Sequence, residues 1–407
     1  MSGAASTALI AWLITAVYYF HQYTLRSAPS VMMPQLAEAF GLSAAAVASL
    51  LGLFYYGYAP FGLVAGPAMD RLGARKVVPL GAAAVGIGAL LFATGNPTLA
   101  SAGRFLQGVG GVFAFVGAVF IVSQGFPASK AATFIGATQM FGMAGGSAGQ
   151  FVVGPLIASG TPWSAFWSGM GVLALVIGAA LWMLIPSARP AAGGDNWLQD
   201  AGRAIATVFK NPQSWIAGVV AGLLFMPTTI FDMVWGVRYL EDARGFDYGT
   251  AVLRAATVPL GWVIGCPLLG WLSDRIGRRR PVMAGGGIVL ALCFASILFG
   301  PFGFLPPYLL GLVMGIASGA AMLPYTVIKE ANPPQYGGTA TGTMHFINFM
   351  ITALLGPVFG GRLMAAPAGG IDLQDYQLAF APMLFGIVIA VALTFVLKET
   401  GSAARKP

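Results

Sequence analysis

The sequence predicts an all-α membrane protein with twelve transmembrane helices in two pseudo-symmetric six-helix bundles. Apolar residues make up 57% of the 407-residue chain and charged residues only 8%, the apolar residues form long runs, and the second half repeats landmarks of the first. Soluble domains carry about 25% charged residues. This composition, with a mean hydropathy of +0.79, therefore excludes a soluble enzyme, a nucleic-acid-binding module and a disordered protein.

Twelve segments are apolar and long enough to form transmembrane helices, each of which needs about 20 residues. A membrane β-barrel would instead show segments of alternating polarity, whereas these runs are continuously apolar. We place the spans, within a few residues, at 8–32, 43–67, 76–94, 99–123, 132–156, 163–185, 213–238, 249–270, 282–301, 303–327, 338–364 and 377–397.

The longest connection divides the chain into two bundles. It covers residues 187–212, between an N-terminal bundle (1–186) and a C-terminal bundle (213–397), and a short tail (398–407) follows the last span. Asp195 is placed to cap a short helix in this connection. Its apolar residues recur on one side, which is typical of a helix lying in the membrane surface, although a plain linker is also compatible with the sequence.

The distribution of basic residues predicts the orientation. With the N-terminus in the cytoplasm, most of the 21 Lys and Arg residues fall in cytoplasmic loops, as the positive-inside rule requires. We therefore expect a multi-pass protein of the bacterial inner membrane with both termini in the cytoplasm, monomeric in the lipid bilayer. The net charge of +8 then has a topological origin and does not indicate a nucleic-acid partner.

The sequence holds no candidate metal, disulfide or cofactor site. Its two cysteines, Cys266 and Cys293, lie in apolar segments without ligand-like neighbours. Nothing matches the G-x-x-x-x-G-K-[ST] pattern of an ATP site. We therefore expect neither a metal nor a cofactor.

The loop after span 2 recurs after span 8. The first copy reads G-P-A-M-D-R-L-G-A-R-K from Gly66, and the second reads G-W-L-S-D-R-I-G-R-R-R from Gly270. A second pair of landmarks is the Gly-Pro that begins at Gly154 in span 5 and the Gly-Pro that begins at Gly356 in span 11. The distance in sequence between these two is nearly the same as that between the two loop copies. Two landmarks with one offset indicate an internal repeat, which is typical of secondary transporters that bind substrate between the repeats.

The doubled loop resembles the signature loop of the major facilitator superfamily. Span 4 carries Arg104-Phe-Leu-Gln107-Gly108-Val-Gly110, which resembles that superfamily's R-x-x-Q-G-x-G motif. The resemblance covers essentially the whole chain and implies two six-helix bundles around a central cavity that opens to alternate sides. Span 5 departs from the proton-antiporter pattern because no Gly-Gly follows its Gly-Pro.

The loop signature supplies a candidate cytoplasmic latch. The carboxylate of Asp70 can accept hydrogen bonds from a neighbouring helix N-terminus or pair with arginines across the bundle interface. Alternatively, the loop charges only anchor the loop in water and set the topology. The candidate gating residues are Gly66, Asp70, Arg71, Gly73, Arg75, Asp274, Arg275, Gly277 and Arg279.

Ionisable side chains inside a span cost roughly 3 kcal/mol or more, so they are functional candidates. Arg26 shares a face of span 1 with aromatic residues, and no acidic residue lies inside a span of the first half. Because an arginine binds a carboxylate or phosphate bidentately, we expect an anionic substrate. The candidate substrate-binding residues are Arg26, Tyr23, Tyr55, Tyr58, Arg104, His345 and Asn348.

Other roles remain open for these residues. Arg104 belongs to a motif shared by facilitators with very different substrates, so a structural or proton-linked role is possible. Arg26 can instead bond backbone carbonyls near the outer mouth, and Tyr18 and Tyr19 are placed for an aromatic belt at the membrane interface. His345 can bind substrate, relay a proton or simply pack in the core.

Span 1 is also similar to one branch of the superfamily. The spacing Tyr23-x-x-Arg26-x-x-x-Ser30 resembles span 1 of the anion:cation symporters. That branch usually has Asp before the arginine, where this chain has Leu25. The oxalate/formate-exchanger and monocarboxylate branches fit equally well.

Asp232 is the one carboxylate that we place inside a span, in span 7. A buried carboxylate is costly to keep ionised, which makes Asp232 a candidate proton carrier. Arg238 or Arg254 can instead hold it as a salt-bridge partner. His345 is the second candidate for proton coupling.

The sequence therefore predicts a secondary active transporter that moves a small organic anion of the carboxylate type, coupled to protons. Proton-driven efflux of drugs or metabolites is the alternative, which the aromatic lining favours. A membrane-embedded enzyme or a transport-like sensor belongs to a different class. An enzyme would need clustered His, Glu or Asp near the membrane face, and two distant histidines do not supply this, so we expect no catalytic residues.

Overall fold

The computed structural model confirms the all-α fold with twelve membrane spans. It describes residues 3–126, 128–186, 197–301, 307–333, 336–364 and 371–401, without the side chains of 3–5, 70, 128–133, 197, 198 and 307. Within these ranges the regular elements are all helical. Eleven described helices are long and apolar enough to cross a membrane, and the helix Gly3–Ser27 is the remaining span.

The N-terminal bundle holds the first six spans, and a short helix, Met33–Phe40, joins the first two. Spans 1 to 6 are Gly3–Ser27, Ala44–Leu72, Ala74–Ala93, Pro97–Gly125, Ala128–Phe151 with its continuation Val153–Ala158, and Trp163–Leu184.

The C-terminal bundle holds the other six spans. Spans 7 to 12 are Pro212–Ala243, Tyr248–Ile276, Arg280–Phe299, Pro307–Ser318 with its continuation Leu323–Glu330, Gly337–Met364, and Leu373–Phe380 with its continuation Pro382–Val396. Span 7 changes from α-helical to π-helical geometry over Pro227–Trp235.

Local sequence explains where several spans begin and end. The side chains of Ser43, Asn96, Asn211 and Asp247 each accept a hydrogen bond from a backbone N–H in the first turn of the span that follows. Span 1 was predicted to reach residue 32 but ends at Ser27, where a 3-10 turn containing a proline begins. The α-helical pattern stops there because Pro29 has no backbone N–H to donate to a carbonyl of the preceding turn.

The two bundles meet along spans 2 and 11 and along spans 5 and 8. We call the membrane side near the inter-bundle linker the linker side, and the opposite side the far side. On the linker side, spans 2 and 11 touch backbone to backbone, since a Cβ on Gly342 would lie 2.5 Å from the carbonyl oxygen of Gly62. Between spans 5 and 8, the Ser147 hydroxyl donates to the carbonyl oxygen of Ala256 at 2.9 Å. The tight contact of spans 2 and 11 closes the linker side between them.

The predicted linker helix is present as Trp197–Lys210. Its residue Val208 is fully buried, and Phe209 packs against Trp215 of span 7 and Phe346 of span 11. Asp195, the predicted cap, lies outside the described residues. The placement of this helix in the membrane surface stays a prediction.

The chain after span 12 docks on the second loop signature. The Glu399 carboxylate accepts hydrogen bonds from the backbone N–H groups of Arg279 at 2.7 Å and Arg280 at 3.1 Å. Partial burial alone would raise the pKa of Glu399, but these and neighbouring backbone donors outweigh burial and lower it. This tail contact was absent from our predictions.

Candidate functional site

The predicted arginine of span 1 lies in a cage of aromatic rings. Arg26 is 4% exposed, and its Nε donates a hydrogen bond to the Tyr55 hydroxyl at 3.2 Å. Its guanidinium carbon lies 4.7 to 5.4 Å from the centroids of five rings, those of Tyr23, Phe54, Tyr55, Tyr58 and Phe349, which we call the aromatic cage. Ring faces attract a cation, so the cage stabilises the charge without neutralising it.

The end of the Arg26 fork is available to a ligand. Both Nη atoms are buried and have no hydrogen-bond partner among the described residues, and no described ion pair includes Arg26. Buried donors without partners are costly. The arrangement therefore favours an incoming acceptor such as a carboxylate.

Arg104 of span 4 contacts one ring of the same cage. It is 2% exposed and stacks 5.2 Å from the Phe54 centroid, so Arg26 and Arg104 share that ring. Its Nη1 donates to the Gln107 side-chain oxygen at 2.7 Å and to the Leu25 carbonyl at 3.3 Å. Arg104 is thus more fully bonded than Arg26, and part of its role is to hold spans 1 and 4 together.

Span 11 contributes His345 and Asn348 to the same cluster. The His345 ring lies 4.6 Å from Tyr58 and 4.6 Å from Phe349, and neither ring nitrogen has a hydrogen-bond partner among the described residues. Asn348 donates to the Tyr325 hydroxyl at 3.0 Å. The seven predicted binding residues, drawn from four spans, therefore come together at the bundle interface.

A cavity of about 120 Å³ lies between the two bundles, reaching from Arg26, Tyr55 and Arg104 toward the far side; we call it the central cavity. Spans 2, 7 and 11 supply most of its wall. Thr229 of span 7 and Thr352 of span 11 face it with hydroxyl groups 3.1 Å apart. A small cavity with apolar walls, two guanidinium groups and two hydroxyls suits a small organic anion.

Several members of this site were absent from the predictions. Phe54 and Phe349 complete the cage, and Thr229, Thr352 and Tyr325 supply hydroxyl groups. Helical spacing offered a partial signal for Phe349, which lies one turn after His345 on span 11.

The interface-belt alternative for two tyrosines of span 1 is not realised. Tyr18 and Tyr19 do not form an interface belt, because they are 0% and 2% exposed. The Tyr18 hydroxyl donates to the Gly110 carbonyl at 2.9 Å, and the Tyr19 hydroxyl donates to the Gln139 side chain at 3.1 Å. Tyrosines with such interhelical partners are packing residues of the bundle.

Asp232 lies apart from the arginine cluster. It is 3% exposed, in the π-helical part of span 7, and its Oδ2 has no hydrogen-bond partner among the described residues. Arg238, one of its two predicted partners, pairs with Asp242 at 3.1 Å. Arg254, the other, places its guanidinium 3.4 Å from the Phe246 centroid. The salt-bridge alternative for Asp232 is therefore not realised in the described structure.

The first loop signature joins spans 2 and 3 on the linker side. Gly66 packs against span 11, where a Cβ would lie 3.1 Å from the Gly338 carbonyl oxygen. Gly73 ends span 2 at φ 77°, a left-handed conformation that favours glycine. Arg71 is exposed, and Arg75 Nε donates to the Trp182 carbonyl at 3.2 Å. The side chain of Asp70 lies outside the described residues.

The second loop signature also ends its span at a glycine with positive φ, and its arginines make described side-chain contacts. Gly277 ends span 8 at φ 70°. The Arg279 guanidinium pairs with Asp274 and lies 3.5 Å from the Glu330 carboxylate at the end of span 10. The Arg275 guanidinium stacks over Trp271 at 5.1 Å. These described pairs stay within the C-terminal bundle, and a latch across the bundle interface stays a prediction.

Known proteins resemble this chain over nearly its full length. A family model described as Major Facilitator Superfamily matches residues 12–357. A gentisate transporter of Corynebacterium glutamicum is 24% identical, over 91% of this chain and 84% of its own. A hexuronate transporter of Bacillus subtilis is 27% identical, over 95% and 94%. The membrane sensor protein UhpC of Escherichia coli is 26% identical, over 86% and 83%.

Among solved structures, a bacterial homolog of the human lysosomal transporter Spinster, inward-facing and unoccupied, has a similar fold. The TM-score is 0.73 at 17% sequence identity, covering 98% of this chain and 97% of that chain. At this identity the likeness concerns the fold alone.

Proposed function

The chain belongs to the major facilitator superfamily, and from this premise we propose that it is a secondary transporter that moves a small organic anion of the carboxylate type across a membrane by alternating access. The observation that carries the proposal is the Arg26 guanidinium. It lines the central cavity, and its Nη atoms have no hydrogen-bond partner among the described residues. The transporters for gentisate and for hexuronate among its relatives support the same substrate class.

In the proposed mechanism the anion enters the central cavity from the far side. Its carboxylate accepts hydrogen bonds from the Nη atoms of Arg26, while the cage and the hydroxyls of Thr229 and Thr352 contact the rest of the molecule. Because Arg26 comes from the N-terminal bundle and Thr229 and Thr352 from the C-terminal bundle, the anion bridges the bundles. Bridging lowers the free energy of a state that is closed on both sides relative to the state that is open to the far side. Rocking of the bundles then opens the linker side.

The direction and the energy source belong to the same proposal. Basic loops favour a cytoplasmic linker side in a bacterial inner membrane, with both termini inside. We assign proton coupling to Asp232, with His345 as the second candidate beside the cage. The two loop signatures act as the gate on the linker side.

A sensor function is the second candidate, because of the likeness to a membrane sensor protein. Transport assays separate the two functions. A transporter exchanges labelled for unlabelled anion across proteoliposomes, whereas a protein that only senses binds the anion without exchange.

The test uses counterflow of radiolabelled gentisate and glucuronate in proteoliposomes, with a thermal-shift assay of the same anions as a binding readout. Arg26→Ala should weaken affinity at least about 30-fold, since truncating a buried charge contact costs about 2 kcal/mol or more. Arg26→Lys should fall between, because lysine keeps the charge and loses the fork.

The matched control is Arg362→Ala, which removes an exposed arginine at the far-side end of span 11 and should change neither readout. Monodispersity in size-exclusion chromatography checks that each variant folds. If Arg26→Ala shows the same counterflow as the wild type, the assignment of Arg26 is contradicted.

A further inference from the structure

A second cavity lies inside the C-terminal bundle, separate from the central cavity. It has a volume of about 180 Å³ and runs between spans 7, 8, 9 and 10 on the far side; we call it the C-bundle cavity. Asp232 lines it among buried residues. At its other end Ser296 and Gly300 are half-buried and Pro301 is exposed. The cavity therefore connects the far-side surface of the bundle with a buried carboxylate.

The C-bundle cavity is large enough for water. One water needs roughly 10–15 Å³ of such volume together with polar partners. The wall supplies partners along its length, namely the Asp232 carboxylate, the Arg244 and Arg254 side chains and the Ser296 hydroxyl. A chain of several waters fits between the surface and Asp232.

The charged groups around Asp232 leave its carboxylate available to a proton. Arg244, which directly follows span 7, donates to the Tyr239 hydroxyl at 2.7 Å and to carbonyls at the end of span 9. Arg254 of span 8 stacks over Phe246. The described residues of spans 9 and 10 contribute no titratable side chain to the lining, and neither does the segment Ala28–Val31, which packs against this part of span 7. Span 12 presents Phe380 to Phe231, and span 11 presents Thr352 to Thr229. Span 1 also packs against this segment, and its charged residue Arg26 lies on the central-cavity side.

Span 7 forms a wall shared by the two cavities. Over its π-helical segment Pro227–Trp235, Thr229 and Met233 line the central cavity, whereas Phe231 and Asp232 line the C-bundle cavity. π-Helical turns are rare in proteins, and those that occur are often found at functional sites. A charge change on one face of this helix therefore acts on a ligand at the other face, about one helix diameter away, roughly 10 Å.

We propose that the C-bundle cavity is the water-filled route by which protons from the far side reach Asp232 without passing through the substrate cavity. Water in this cavity relays one proton from the far-side solution to the Asp232 carboxylate, which becomes a neutral carboxylic acid while the water is left unchanged. An ionised Asp232 repels an anion across span 7, so its protonation favours anion binding. This inference rests on the proposed anion transport, which it makes a symport with one proton.

The experiment places a removable plug in the route. In a background of Cys266→Ala and Cys293→Ala, Ser296→Cys introduces a thiol at the cavity mouth. The control is Ser159→Cys, at an exposed far-side serine of the N-terminal bundle. Both serine hydroxyls donate to a backbone carbonyl one turn earlier, at 2.8 Å. Each thiol is treated from the far side with two membrane-impermeant methanethiosulfonates of opposite charge.

The first readout needs no substrate. After a pH jump on the far side, the infrared C=O band of protonated Asp232 should change rapidly, and Asp232→Asn should lack the band. Labelling at position 296 should slow the change with both reagents, and labelling at 159 should not. The inference is overturned if the thiol at 296 does not react, if the labelled protein keeps the rapid change, if the reagents act in opposite senses, or if the band persists in Asp232→Asn.

The second readout is transport of gentisate and glucuronate. Labelling at 296 should remove accumulation driven by a pH gradient and leave counterflow intact, since exchange needs no net proton movement. Loss of both to the same extent would contradict a separate proton route. Absence of counterflow in every variant, with the infrared response intact, would count against the proposed anion transport and not against the route.

Discussion

At the scale of single residues, the hydrogen bond between Arg26 and Tyr55 orients the guanidinium fork. Tyr55→Phe keeps the ring of the aromatic cage and removes only the hydroxyl that accepts from Nε. We expect the dissociation constant for a carboxylate to rise about fivefold, which corresponds to a net hydrogen-bond contribution of about 1 kcal/mol. Isothermal titration calorimetry measures this change.

Tyr56→Phe is the matched control, because Tyr56 is the next residue on the same helix and is 40% exposed. It should bind like the wild type. Equal affinities of all three proteins would show that the Tyr55 hydroxyl does not position Arg26 for the anion.

The residues of this site differ in how far they could be predicted. Arg26, Tyr55 and Tyr58 were predictable because charge inside a span is rare and because helical phase places residues on one face. Phe54 was not, and Phe349 had only the partial signal of its spacing after His345, since phase does not say which face of a neighbouring helix a residue meets. The sequence left the interface-belt alternative open for Tyr18 and Tyr19, because an interface belt and an interhelical contact require the same residue type.

At the scale of elements, the tail after span 12 stabilises the loop between spans 8 and 9. Glu399→Gln should weaken the hydrogen bonds to the backbone N–H groups of Arg279 and Arg280, which we expect to be worth about 1 kcal/mol in this half-buried setting. Backbone hydrogen exchange at Arg279 and Arg280 measures the effect and should be faster in the variant. Exchange equal to that of the wild type would show that the Glu399 contact does not stabilise this loop.

The pH dependence of this dock has a defined sign. The folded-state pKa of Glu399 is lowered, so its contribution is fully present above the unfolded-state pKa, about 4.3 for glutamate. It is lost as the pH falls through the folded-state value. Glu399→Gln should not show this acid-induced loss.

Elements were predicted well where length and apolarity decide them, and poorly where geometry inside a span decides them. All twelve spans have the position in the chain that their apolar runs indicated. The π-helical segment of span 7 was not foreseen, because hydropathy does not distinguish a π-helix from an α-helix. The Glu399 contact was missed because a single acidic residue after a span has no pattern that names its partner.

At the scale of the whole molecule, the repeat in the sequence predicted two similar bundles. It could not predict which side of the membrane the bundles close. Both bundle arrangements of a rocking transporter use the same apolar faces, so hydropathy is equal for both. The structure is closed between spans 2 and 11 on the linker side by contacts between glycines, Gly62 with Gly342 and Gly66 with Gly338. The closed state therefore depends on the absence of side chains at these positions.

Gly342→Ala tests this dependence. A Cβ at this position would lie 2.5 Å from the Gly62 carbonyl oxygen, a backbone atom that cannot move aside alone. Overpacking of this kind costs about 2 kcal/mol, which shifts the ratio of linker-side-closed to linker-side-open molecules about 30-fold toward open. Gly285→Ala, in span 9 with nothing near the added Cβ, should leave the ratio unchanged. Spin-label distances between spans 2 and 11 on the linker side report the ratio. If the distance distribution of Gly342→Ala matches those of the wild type and of Gly285→Ala, the glycine contacts do not hold this side closed. A shift toward open that is reversed by a saturating carboxylate would join the gate to the arginine cluster, because a ligand shifts this ratio only by binding the linker-side-closed arrangement more tightly than the open one.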